Sequence, residues 1–375
     1  MEHPASAQAG FSALLLYCRA GFEKETAQEI SAACAGHGVS GFVRSKPGAG
    51  YVEFVPHDAA AVRRLMARLR YADLVFARQL IWATPWLRGL PAGDRLSVLL
   101  PAIVALGRTF GTVWLETADT NEAKELVAFC RQFAAPLEQA LRRHGLLRDG
   151  ADGLPRLHLF FADSTAVCLG TTVAGNASPW PMGVPRLRLP PQAPSRSTLK
   201  LAEALQHWLG PAAETELLHE GTTAVDLGAA PGGWTWQLVR RGVQVIAVDN
   251  GPLAAQLLES DLVEHVRADG FRYRPPWPVG WMVCDMVEQP LRVAVLVADW
   301  LADGRCGHSI FNLKLPMKKR YEEVARCRGA MRERWQRAGI DCSLQFKHLY
   351  HDREEITGYA WKTGQSRKKR SRNGD

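Results

Sequence analysis

The stretch AVDLGAAPGGWTWQL, residues 224–238, decides how the second half of the chain folds. A short apolar strand ends at Asp226 and Leu227, a Gly/Pro loop turns sharply, and a helix is expected from about Thr235. Glycine at such a strand–helix turn lets the backbone approach a ligand that a Cβ would exclude. The spacing is Gly228-x-x-x-Gly232-Gly233 with Pro231 between, not the GxGxxG of a pyrophosphate loop, so a nicotinamide or flavin cofactor loses ground. The next strand, VQVIAVD (243–249), ends on Asp249, 21 residues after Gly228. A carboxylate there accepts hydrogen bonds from a ribose diol. Asp269 and Asp285 end the third and fourth strands. Each alone also reads as a helix N-cap, but three in register behind a glycine loop line the carboxyl edge of a sheet, where ligands bind.

Outward from this loop, apolar strands keep alternating with helices: WMVCD (281–285), a helix over 291–302, HSIFNLKL (308–315), a helix over 319–337, and strands over 343–350 and 356–362. That pattern predicts an α/β, Rossmann-like domain with a largely parallel sheet covered on both faces. The first half is α+β. A strand at 12–18, a helix over 22–38, a hairpin over 41–55, a helix over 58–76 and a strand at 78–83 give the β-α-β-β-α-β order of a ferredoxin-like unit. A second unit follows, with helices near 95–107 and 121–147 and strands at 112–119, 157–162 and 165–173. AGNASPWPMGVPRLRLPPQAPSRS (174–197) holds six prolines and no periodicity, which predicts an extended, semi-rigid connector.

The chain has 375 residues, 47% hydrophobic and 22% charged, room for two domains and no signature of a disordered or fibrous protein. The longest apolar run, Leu96 to Leu106, is broken by Pro101 and falls short of the ~18 residues a membrane span needs. No basic residue precedes the apolar patch 11–18, so a signal peptide is not expected. Eight cysteines without CxxC spacing read as reduced thiols, and a soluble cytoplasmic protein is expected. The net charge is +8, of which KTGQSRKKRSRNGD (362–375) carries +5. A basic tail of this kind collects phosphate contacts on a nucleic acid, or simply keeps the protein soluble.

SRSTLKL (195–201), VDLGAAPGGWT (225–235), VDNGP (248–252), DGF (269–271), WMVCDM (281–286), FNLKLPMKKRYEEV (311–324) and YHDREEIT (350–357) together resemble the RlmM-type 23S rRNA ribose 2′-O-methyltransferases. The resemblance covers the whole chain, with long motifs in the second half and GNASPWPMGVPRL (175–187) as the best stretch of the first. One departure is Ala230, where cysteine is expected; a loop that binds through its backbone tolerates the change. The family implies a ferredoxin-like unit over 1–90, a THUMP-like RNA-binding unit over 91–180, a Pro-rich linker over 181–194, a Rossmann-like methyltransferase domain over 195–362 and a basic tail over 363–375. It implies S-adenosylmethionine as cofactor and, as substrate, a cytidine in the peptidyl-transferase loop of 23S rRNA. It also implies a catalytic Lys-Asp-Lys-Glu tetrad at Lys200, Asp285, Lys314 and Glu355, the last chosen over Glu354 because it immediately precedes the strand ITGYAW. Implied cofactor contacts are Ser197, Ala230, Pro231, Gly232, Gly233, Asp249, Asp269 and Asp285.

The chemistry asks for such a set in its own right. A ribose hydroxyl is a poor nucleophile, so a catalyst must position it and remove one proton. Lysine becomes a base when burial and a nearby cation lower its pKa. Lys314 is then the base, Lys200 the neighbouring cation, and Asp285 and Glu355 hold both amines. A lysine inside the apolar strand IFNLKL would be costly without partners. No metal-ligand spacing occurs, no metal or membrane is expected, and a monomer is expected. Lys318, Lys319 and Arg320 could meet phosphates, and Trp234, Trp236, Trp281 and Tyr350 are either core or a platform for an unstacked base. Competing readings are an NAD-dependent oxidoreductase, a methyltransferase acting on another RNA such as tRNA, and a non-catalytic RNA-binding protein.

Overall fold

The computed structural model describes residues 10–148 and 153–363; the basic tail from 364 onward lies outside them. Two compact units divide the chain, Met1–Pro185 and Arg186–Asp375. None of the helices among the described residues is long and apolar enough to cross a membrane.

The first unit runs β1 (Ala13–Tyr17), α1 (Glu23–Gly36), β2 (Gly41–Ser45), β3 (Tyr51–Pro56), α2 (Ala61–Arg68), β4 (Gln79–Ala83), α3 (Leu96–Val104), β5 (Thr112–Thr117), α4 (Lys124–Arg143), β6 (Arg156–Asp163) and β7 (Ala166–Thr171). The four strands of the β-α-β-β-α-β segment pair antiparallel in the order β2-β3-β1-β4. Pairing of β4 with β7 at Trp82↔Thr171 extends this into one sheet of seven strands, β2-β3-β1-β4-β7-β6-β5. Ile30 of α1 and Leu65 of α2 pack on Leu14, Leu16 and Trp82, while Leu137 and Leu141 of α4 cover Leu159 and Phe161. Each such fully buried leucine contributes roughly 1.5–3 kcal/mol.

The helix expected over 58–76 stops at Arg68, with Leu69 extended at ψ 124°. Its continuation is pre-empted from a distance. The Asn176 side chain donates to Leu69 O (2.7 Å) and accepts from Tyr71 N–H (2.7 Å), using the groups a helix would need. Asn176 belongs to the stretch expected to be an extended, semi-rigid connector, and the first part of that stretch is bound to the first unit. Ser178 exchanges hydrogen bonds with the Gln79 amide, and Met182 N–H donates to the buried Glu116 carboxylate.

The second unit contains α5 (Thr198–Trp208), α6 (Gly210–Leu217), β8 (Thr223–Leu227), α7 (Gly233–Val239), β9 (Gln244–Val248), α8 (Ala255–Leu258), β10 (Val263–Val266), β11 (Val279–Cys284), α9 (Pro290–Ala302), β12 (Cys306–Lys314), α10 (Arg320–Ala338), β13 (Cys342–Lys347) and β14 (Glu355–Lys362). Its sheet has the order β10-β9-β8-β11-β12-β14-β13. The first five strands are parallel and the last two pairings are antiparallel. Strand order reverses at β8/β11, where the chain passes from building one side of the sheet to building the other, and ligands bind outside the carboxyl ends of such strands. Leu201, Trp234, Val245, Trp281, Val283, Ile310 and Tyr359 form the core of this unit. The tryptophans offered as base platforms are therefore packing residues: Trp234, Trp236 and Trp281 are all buried, and Trp281 stacks on His308 and Tyr359.

Candidate active site

Four side chains converge at the carboxyl edge of β11 and β12. Asp285 follows β11, Lys314 ends β12, Glu355 begins β14 as the register partner of Lys314, and Lys200 comes from the first turn of α5. Lys200 Nζ lies 3.2 Å from Asp285 Oδ2 and 2.5 Å from Glu355 Oε1. Lys314 Nζ lies 2.5 Å from Asp285 Oδ1 and also pairs with Glu355 Oε2. Each lysine thus touches both carboxylates, and two positive charges meet two negative ones. The adjacent Glu354 is not part of the cluster; it pairs with Arg320 at the start of α10.

This arrangement reverses one electrostatic expectation. Burial works against the Lys314 charge, but Asp285 and Glu355 together outweigh it and hold the ammonium above the ordinary lysine range. The neighbouring Lys200 does not reverse this, because Lys314 has both carboxylates in contact. Buried ion clusters hold only when every member is paired, and here all four are.

The supports of the cluster were not evident in the sequence. The indole N–H of Trp234 donates to Ser197 O (3.0 Å) and the Gln237 amide donates to Thr198 O (3.1 Å), so α7 fixes the first turn of α5 that carries Lys200. Glu203, one turn further along α5, is 2% exposed and accepts the backbone N–H groups of Tyr350 (2.8 Å) and His351 (2.9 Å). It thereby ties α5 to the turn that delivers Glu355. Asp226, beside β11 in the sheet, is buried, takes a hydrogen bond from Thr235 Oγ1 (2.7 Å), and is pushed up to about 7 by burial.

Asp285 also lines a cavity of about 520 Å³ with Gly228, Ala230, Asp249, Asp269, Phe271 and Glu288. Its lining includes four carboxylates and no lysine or arginine. Such a wall suits a ligand with positive charge and hydroxyl donors, as S-adenosylmethionine has, and repels a pyrophosphate. Asp249 is preorganised for a diol: Oδ2 accepts Ala230 N–H (3.0 Å), Oδ1 accepts Gly251 N–H (2.7 Å), and each oxygen keeps acceptor capacity. The residues fit the cofactor. Of the implied contacts, Ala230, Asp249, Asp269 and Asp285 meet at this cavity, whereas Ser197, Pro231, Gly232 and Gly233 do not line it.

The glycines have a different reason to be glycine. A Cβ on Gly233 would sit 2.4 Å from Ser197 Oγ and 2.5 Å from Ser195 Oγ, and one on Gly232, at φ +108°, would sit 2.1 Å from Leu257 Cδ1. Close packing of the loop against the serines before α5 and against α8 leaves little room for side chains there. Asp249→Ala should weaken S-adenosylmethionine binding by about 1.5–3 kcal/mol, roughly ten- to hundredfold in Kd by calorimetry. An unchanged Kd would reduce Asp249 to a loop-organising residue.

Comparison with known proteins finds relatives over most of the chain and family matches in both units. Residues 11–81 match the RlmM ferredoxin-like domain, 94–173 the N-terminal region of ribosomal RNA large subunit methyltransferase M, and 193–295 the FtsJ-like methyltransferases. Ribosomal RNA large subunit methyltransferase M of Methylococcus capsulatus is 56% identical over 93% of this chain and 97% of its own length. That of Aromatoleum aromaticum is 53% identical over 93% and 94%. The chain belongs to the ribosomal RNA large subunit methyltransferase M family. Lys314 and Glu355 lie beyond the FtsJ-like match, within the part of the second unit built from β12 and β14.

Proposed function

We propose that the protein transfers a methyl group from S-adenosylmethionine to the 2′-hydroxyl of a cytidine ribose in the peptidyl-transferase loop of 23S rRNA, with Lys200, Asp285, Lys314 and Glu355 as the catalytic tetrad. The observation that carries this reading is the double role of Asp285, which lines the acidic cavity and binds both lysines. One carboxylate thereby joins the cavity proposed for the methyl donor to the amines proposed to handle the proton.

S-adenosylmethionine bound there supplies a methyl group already activated on a sulfonium. The protein's own residues do the rest. Asp249 holds the ribose hydroxyls of the cofactor, and Asp269, whose Oδ1 accepts Phe271 N–H (2.9 Å), adds a second carboxylate to the cavity wall. Lys200 and Lys314 present N–H donors toward the incoming hydroxyl and fix its oxygen for in-line attack. Lys314 removes the hydroxyl proton as the oxygen–methyl bond forms. Since the paired ammonium is held charged, the neutral amine that acts as base forms only by loss of its own proton to solvent, while Glu355 and Asp285 keep the amine in place.

Lys318 and Lys319 open the segment after β12 beside this centre, are exposed, and have no ion pair among those the structure shows. They suit the phosphates flanking the target nucleotide. The first unit, with its ferredoxin-like segment and the THUMP-like reading of 91–180, is proposed to recruit the rRNA. The test is methyl transfer from labelled S-adenosylmethionine to 23S rRNA, followed by mapping of ribose methylation in rRNA from a strain lacking the protein. Loss of methylation at one cytidine of the peptidyl-transferase loop is expected; an unaltered rRNA map, with methyl transfer to tRNA instead, would move the enzyme to another substrate.

A further inference from the structure

Behind the tetrad lies a line of buried polar side chains that the reaction as described does not use. Asn312 and Thr357 face each other in the β12/β14 register, two residues from Lys314 and Glu355 on their respective strands and so on the same face of the sheet. Asn312, Thr357 and Asp352 are all 0% exposed. Asn312 Nδ2 donates to Asp285 Oδ1 at 2.9 Å. Thr357 Oγ1 lies 2.8 Å from Asn312 Oδ1 and 3.0 Å from both oxygens of Asp352.

The direction of these bonds follows by elimination. Asp285, paired with two ammonium groups, is an ionised carboxylate and only accepts, so the Asn312 amide must turn its NH2 toward it. Asn312 then offers only its carbonyl oxygen to Thr357, and the single hydroxyl proton of Thr357 goes there. The Thr357 oxygen is left as an acceptor for Asp352, which can donate only if it carries a proton. The environment agrees. Burial, then the nearby Glu355 and Glu203, drive the Asp352 carboxyl well above the usual carboxylate range. Leu349 N–H donates to its Oδ2 at 3.0 Å.

We propose that Asp352, Thr357 and Asn312 form a one-way positioning relay in which Asp352 acts as a neutral acid and fixes the orientation of the Asp285 carboxylate. With Oδ1 held by both Asn312 and Lys314, Asp285 cannot rotate about its side chain, and Oδ2 stays directed at Lys200. An ionised Asp352 would draw the Thr357 proton to itself and leave Asn312 Oδ1 without a donor. Asn312 Oδ1 and the Thr357 oxygen would then face each other as two acceptors at 2.8 Å, and their repulsion would loosen the hold of the amide on Asp285. None of the three residues touches the reacting atoms; they act through Asp285, and the proposal rests on the tetrad reading given above.

The experiment measures single-turnover methyl transfer to an rRNA fragment at saturating S-adenosylmethionine, together with the cofactor Kd, in full-length variants. Thr357→Val, nearly the same shape without the hydroxyl, should slow transfer by about 10- to 100-fold, the scale of an ångström-level misplacement, with Kd changed less than about twofold. Asn312→Asp, which sets a second carboxylate against Asp285, should be slowed at least as much and stands in if the valine variant does not fold. Thr357→Ser should restore the rate. So should Asp352→Asn, because an amide N–H can donate to Thr357 while its carbonyl still accepts from Leu349. Wild-type rates in Thr357→Val and Asn312→Asp would overturn the relay, as would an Asp352→Asn variant as slow as Thr357→Val, which would mean that Asp352 works as an anion. Lys314→Ala in parallel separates the two readings: if it too retains the wild-type rate, the tetrad assignment fails, and not only the relay behind it.

Discussion

Lys314→Ala should lower the rate of methyl transfer by about 10²- to 10⁴-fold, the usual contribution of a positioned general base. Cofactor affinity should be no weaker than before, because Lys314 does not line the acidic cavity and its loss only makes the surroundings of Asp285 more negative. Lys314→Arg keeps the charge but cannot give up a proton at any usable pH, so it should fail as well. The pH profile adds a sharper signature. The Lys314 ammonium is held above the ordinary lysine value, so the fraction of neutral amine grows about tenfold per pH unit throughout the range from about pH 7 to about pH 9. The rate at saturating cofactor should climb across that range without levelling off. A plateau close to neutrality would show a depressed amine, contrary to the doubly paired geometry. Full activity of Lys314→Ala would remove it from the chemistry altogether.

Separating the two units should cost nearly as much, and in a different quantity. The unit Arg186–Asp375 contains the tetrad, the acidic cavity and a core of its own, so alone it should bind S-adenosylmethionine with the affinity of the full chain. Its kcat/KM on a 23S rRNA fragment should fall by about 10²-fold or more, the gain that a tethered second binding site provides through effective concentration. The unit Met1–Pro185 should bind the same fragment with salt-dependent affinity and transfer no methyl group. If the isolated second unit methylates the fragment as efficiently as the intact protein, the first unit does not recruit the substrate.

The parts of the site legible in the sequence are those that break a local pattern. A lysine inside the apolar strand IFNLKL and three aspartates closing successive strands stand out without knowledge of any partner. The strand–helix alternation likewise places the loop after β8 at the edge of a parallel sheet. What stayed hidden depends on pairings between distant residues. Asn312 and Thr357 look like ordinary strand positions until the β12/β14 register sets them face to face. Glu203 reads as a polar helix position until residues 350 and 351 arrive against it. Asn176 ends α2 from more than a hundred residues away. The charge state of Lys314 is hidden for the same reason: the sequence offers two lysines and two acids, but only distances show that each amine has both acids as neighbours. The glycine loop is legible through its spacing, while the groups that crowd it, the serine hydroxyls before α5 and Leu257 of α8, follow from packing alone.

The placement of β14 between β12 and β13 has a consequence for how the protein comes into being. β8 and the loop that shapes the acidic cavity precede Glu355 by well over a hundred residues, and the parallel strands up to β12 can pair in the order in which they are made. β14 emerges after β13 yet must take the place beside β12, leaving β13 on the outside. Domains fold progressively while they are being synthesised, so a growing chain can acquire its acidic cavity early and still lack Glu355, which completes the lysine–carboxylate cluster. A nascent chain caught on the ribosome that is translating it would accordingly be able to hold the donor but not to modify rRNA, and competence would arrive only with the insertion of the penultimate strand of the sheet.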